Sequence, residues 1–82
     1  MNLYKISQAE NTNYDTYDTL IVIAKNANDA RSIHPYRDGW RPGSATAASW
    51  ASSSAYVNVT LIGKALNTLE EGSVVCASFN AG

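Results

Sequence analysis

Leu20-Ile21-Val22-Ile23-Ala24, followed without a break by Lys25-Asn26-Ala27-Asn28-Asp29, is the stretch that decides the fold. Its five apolar residues, three of them β-branched, suit a strand buried on both faces or nearly so. Such a strand belongs at the centre of a sheet. Directly after it, Asn26 can cap a helix, because its side-chain oxygen accepts from the free N–H groups of a first turn. Asp29 then falls where a negative charge favours the positive end of the helix dipole. Ala27, Ala30, Ile33 and His34 recur at helical spacing until Pro35 ends the pattern. This predicts a helix of two to three turns that packs on the sheet through that stripe, with His34 near its C-terminal end.

On either side of this unit the periodicity changes from 3.6 to 2. Residues 3–8 place Tyr4 and Ile6 on one face and read as a first strand, and residues 9–19 read as an extended loop or wide hairpin. Residues 56–62 set Val57, Val59 and Leu61 on a buried face and Tyr56, Asn58, Thr60 and Ile62 on the other. Gly63 ends that strand or marks a bulge, a turn follows at 67–72, and residues 73–79 form a last strand. Within it, Cys76 in Val74-Val75-Cys76-Ala77 is expected to be a small buried core residue. The order ββαββ predicts an α+β fold: one domain over residues 1–82, an antiparallel sheet of about four strands, and one short helix on one face. Strand order in space does not follow from the sequence.

Composition narrows the function classes. With 82 residues there is room for one small core. Charged residues make up 16%, against roughly 25% in ordinary domains, so the surface is largely neutral and polar. A net charge of -1 argues against a chain-wide nucleic-acid footprint, although Lys25, Arg31, Arg37 and Arg41 gather in the middle segment. The single cysteine rules out a disulfide within the chain and fits a reducing compartment. One Cys and one His are too few for the usual zinc site, and Asp15 with Asp18 are too few for a hard cation. No metal and no cofactor is expected. The apolar run at 20–24 is far too short to span a bilayer, and residues 1–5 lack the apolar stretch of a signal peptide. The expectation is a cytoplasmic protein with no membrane partner.

Two segments carry the candidate functional residues. Tyr14-Asp15-Thr16-Tyr17-Asp18-Thr19 repeats a three-residue unit and presents two aromatic rings and two carboxylates; its structural alternative is a turn into the central strand. The long loop at 36–55 holds Trp40 and Trp50 among Gly, Pro, Ser and Ala, with a helical turn expected at 45–50. Indole and guanidinium groups supply large contact area, so Tyr14, Tyr17, Tyr36, Trp40 and Trp50 read as binding anchors. Asp15, Asp18, Arg37 and Arg41 read as orienting charges. This favours a non-catalytic protein-binding module. One alternative is a nucleic-acid or nucleotide binder using Arg31, Arg37 and Arg41 with stacking on Trp40. A second is a small enzyme built on His34 and Asp38, although no nucleophile stands at a recognisable spacing from them. Unpaired sheet edges also leave a homo-oligomer open.

Four segments taken together resemble a family of small uncharacterised proteins of phages and prophages. They are Leu3-Tyr4-Lys5-Ile6-Ser7-Gln8, Tyr14-Asp15-Thr16-Tyr17-Asp18, Ala30-Arg31-Ser32-Ile33-His34-Pro35 and Cys76-Ala77-Ser78-Phe79-Asn80-Ala81-Gly82. The resemblance implies a setting, a phage accessory protein acting in the bacterial cytoplasm, and proteins of this size and composition often work by binding, here a host protein. By analogy of size and setting it implies an inhibitor of host defence such as an anti-CRISPR protein. Residues 41–55 lie outside the shared pattern.

Overall fold

A computed structural model describes residues 1–13, 15–36, 39–41, 44, 47–65 and 71–80. The chain runs β1 (Asn2–Ser7), β2 (Thr16–Ala24), α1 (Ala27–Arg31), two 3-10 turns (Ala47–Ser49 and Ser54–Tyr56), β3 (Asn58–Lys64) and β4 (Val74–Asn80). The four strands form one antiparallel sheet in the order β3-β1-β2-β4. The α+β class stands, with the two 3-10 turns added between helix and third strand. Among the described residues no helix is long and apolar enough to cross a membrane.

Register explains which face becomes the core. Tyr4 lies opposite Val22 and Ile6 opposite Leu20, so the alternation read from the sequence puts these four on one face, and all four are buried. Val59 extends that face into β3, opposite Ile6. Ala24, Ala30, Trp50, Ala51 and Val57 complete the cluster. The helix packs on β1, β2 and β3. Asn26 caps it as expected, its Oδ1 accepting from the Asp29 N–H at 2.9 Å.

The helix is shorter than its apolar stripe. After Arg31 the bonds tighten to three-residue spacing, Ser32 N–H to Asp29 O and Ile33 N–H to Ala30 O. The Ser32 hydroxyl donates to the Asn28 carbonyl at 3.0 Å, the acceptor that a further α-helical bond would need. His34 therefore lies beyond the helix, whose C-cap is Ser32.

A helix of five residues is only about 7.5 Å long, and the layer it forms is correspondingly narrow. Two expectations about burial fail on the outer strands, and Cys76, in register with Ile21, lies on the face away from the helix. Leu61, assigned by alternation to the buried face of β3, is 60% exposed, because it lies on an edge strand beside a bulge between Gly63 and Leu61. Cys76, expected in the core, is exposed on β4, the opposite edge of the sheet. On the face away from the helix, Ile23 is nonetheless fully buried. Its backbone is fixed by Ser73 O and by the N–H of Gly72, which adopts a φ of 85° that favours glycine.

Trp50 fills the space that so short a helix leaves. It is the largest fully buried side chain, at 0% exposure. The loop bringing it there is tied down from the β1–β2 connection. Asn11 Nδ2 donates to the carbonyls of Ala48 (2.7 Å) and Trp50 (3.1 Å), and the Ser52 N–H donates to Glu10 Oε1 at 2.7 Å. Gln8, itself buried, holds Asn11 from both sides: its Oε1 accepts from the Asn11 N–H, and its Nε2 donates to the carbonyls of Asn11 and Tyr17, each at 2.8 Å.

Truncating Trp50 to Ala should cost about 3–5 kcal/mol. That is a large share of the roughly 4–12 kcal/mol expected for a domain of this size. Urea unfolding followed by circular dichroism should show the midpoint collapse, while Asn26→Ala should lose only about 1 kcal/mol. A Trp50→Ala protein within 1 kcal/mol of wild type would contradict the core placement.

Candidate functional site

The segment after α1 gathers aromatic side chains around a buried histidine. His34 is 6% exposed, and its Nδ1 accepts the N–H of Tyr36 at 3.0 Å. The Trp40 ring stands edge-on to it, with centroids 5.2 Å apart at 82°. Trp40 is anchored in turn by its Nε1–H, which donates to the Ala51 carbonyl at 2.8 Å, next to the buried Trp50. Gly39 closes the turn, its N–H donating to Tyr36 O at 2.9 Å. It also lies so close to the imidazole that a methyl built on it would overlap the ring of His34.

Tyr36 leaves this turn at 41% exposure and meets Tyr17 of β2 edge-on, centroids 6.2 Å apart at 69°. Tyr17 itself is half-buried and packs against the core. A hydrogen bond to Tyr36 is the main cause that holds the Tyr17 phenol above its ordinary titration range. Burial and the charge Tyr36 would acquire add to it. The result is a chain of ring contacts, Tyr17–Tyr36–His34–Trp40, edge-to-face at its two ends and tilted at 45° between Tyr36 and His34.

The other candidate residues fall in different places. Asp15 and Asp18 are exposed, Asp15 at a φ of 61° that aspartate tolerates better than most residues. Asp18 sits at a register shift between β2 and β4, and its carbonyl accepts the Gln8 N–H at 3.1 Å. Arg41 is exposed. Tyr14, Arg37 and Asp38 lie outside the described residues. Trp50 is corrected from anchor to core: at 0% exposure its indole belongs to the fold, and no partner reaches it while the chain is folded. Composition alone could not separate the two tryptophans, since both sit in the same tract.

Sequence reasoning also missed Tyr56, which is 55% exposed on the turn Ser54–Tyr56. The available signal was Ser53, whose hydroxyl oxygen accepts from the Ala55 N–H and starts a turn where strand alternation was read. Beside His34 lies a cavity of about 390 Å³, lined by Ser32, Ile33, His34 and Pro35 on one side and Glu71, Gly72, Ser73 and Val74 on the other. Among the described residues, no three His, Cys, Asp or Glu side chains converge as a metal site would require. No family model, curated protein or solved structure matches the chain. The resemblance to phage proteins therefore stands on the quoted residues alone.

Two measurements check this corner. Gly39→Ala should lower stability by about 1–3 kcal/mol, the usual cost of forcing atoms into a packed site; an unchanged unfolding midpoint would contradict the close approach. In an absorbance titration of the five tyrosines, one phenol should ionise later than tyrosine's ordinary value near 10. Tyr36→Phe should bring it back down. Because the folded value is raised, the associated stability is complete below pH ~10 and is lost as pH climbs through the folded value.

Proposed function

We propose that this chain is a non-catalytic protein-binding module whose contact surface centres on Tyr36. One observation carries the reading. Tyr36 is substantially exposed, yet its ring rests against Tyr17 and its backbone N–H is held by His34. An aromatic side chain ordered before binding loses little conformational entropy on docking, which is how rigid aromatic anchors gain affinity. Half-buried Trp40 and Tyr17 support it from behind. Exposed Asp15, Asp18 and Arg41, close in sequence to these rings, supply charges of both signs that fix orientation.

The partner class implied by the resemblance is a host protein, with inhibition of a host defence system such as CRISPR as the narrower form of the proposal. A nucleic-acid role draws less support. Arg31, one of the three arginines it needs, has its Nε–H donating to the Val57 carbonyl at 3.2 Å.

The test is affinity capture from bacterial lysate with nuclease present, using wild type, Tyr36→Ala and Tyr36→Phe. A stoichiometric protein should survive nuclease with wild type. Its affinity should fall at least about tenfold with Tyr36→Ala, as for a hot-spot aromatic, at an unchanged unfolding midpoint. Equal capture by Tyr36→Ala, or loss of every partner on nuclease treatment, would contradict the proposal.

A further inference from the structure

The sheet has two outer strands, β3 and β4, and the chain treats their edges differently. Proteins commonly guard an edge with charged side chains, lysine above all, or cover it with a helix. At β3 the chain places charge on and beside the strand, under a helix that packs on the sheet face. The Arg31 Nε–H donates to the Val57 carbonyl just before β3, Lys64 ends the strand, and Lys5 lies opposite Thr60 on its neighbour. Within β4 itself neither device is found among the described residues, the nearest charges being Asp18 on its neighbour β2 and the Lys25–Glu71 pair just before it. Val74-Val75-Cys76-Ala77-Ser78-Phe79-Asn80 contains no charge, no proline and no glycine, and every residue from Val74 to Ser78 is exposed. The element it pairs with is β2.

We propose that β4 is completed by a second copy of this chain. The two β4 strands pair antiparallel about a two-fold axis and join two four-stranded sheets into one of eight. Self-pairing suits the strand's composition. With the axis at the central Ala77, Val74 falls opposite Asn80, Val75 opposite Phe79 and Cys76 opposite Ser78, so no like charges meet and small residues lie nearest the axis. The same operation on β3 would gather Lys5, Arg31 and Lys64 of both copies along one seam. A seven-residue edge is about 23 Å long. It buries less than the roughly 1,200 Å² total of ordinary stable interfaces, so the dimer is weak and exchanges with monomer.

Sedimentation velocity over a concentration series, with reductant present so that Cys76 forms no disulfide, reads this directly. The mass should rise from 8.8 kDa toward twice that value as concentration increases. Ser78→Lys should return the protein to monomer with its circular dichroism unchanged, and Thr60→Lys on β3 should leave the dimer intact. Hydrogen exchange on wild type removes dependence on the variant's folding: amides within 74–80 should slow at high concentration and those within 58–64 should not. A monomer at every concentration, a dimer indifferent to Ser78→Lys, or slowing confined to 58–64 would overturn the proposal.

Discussion

The burial of Trp50 is the constraint on which the rest of this structure depends. A domain of this size hides only about 60% of the surface its unfolded chain exposes, so each large core side chain carries an outsized share of stability. The helix here is a single turn and a fraction, and it cannot roof a four-stranded sheet. An indole inserted from the following loop supplies the missing volume. The arrangement has a cost, since Trp50 Nε1 is buried with no hydrogen-bond partner among the described residues. Leaving such a donor unmet costs about 1–3 kcal/mol. The gain from burying the ring must exceed it, and burial of a large aromatic side chain is of sufficient size.

From that insertion the remaining geometry follows. Bringing Trp50 inward draws Ala51 with it, and the Ala51 carbonyl then receives the indole N–H of Trp40. Trp40 in turn sets the edge against which His34 packs, and His34 holds the turn from which Tyr36 emerges. The Gln8–Asn11 bonds close the arrangement from the other side, fastening the first loop to the third. A segment with the composition of a flexible loop is thereby ordered by side chains far away in sequence. The candidate binding surface is ordered by the same contacts that stabilise the fold.

How much of this was legible beforehand depends on the range of the interaction concerned. The strand alternation at Tyr4 and Ile6, the central run at Leu20 to Ala24 and the Asn26 cap are local, and each reads directly from its neighbours. The failures are non-local. Cys76 has the surroundings of a core residue, but its strand lies at an edge, and strand order is not encoded in periodicity. Leu61 is exposed because its strand lies at an edge and bulges between it and Gly63, which alternation does not show. Trp40 and Trp50 look alike in sequence, and the Asn11 bonds that separate their roles span 37 and 39 residues. In the site, Tyr17 and Tyr36 were recognised as aromatic candidates separately; only the sheet brings them together.

The most direct test of this account is acrylamide quenching of tryptophan fluorescence in the Trp40→Phe protein, where Trp50 is the sole emitter. Blue-shifted emission that resists quenching until the fold is melted, with both properties lost in a single transition, is expected of a buried Trp50. Emission like that of a solvated indole, quenched freely under native conditions, would show that the loop does not enter the core and would remove the support beneath the aromatic corner.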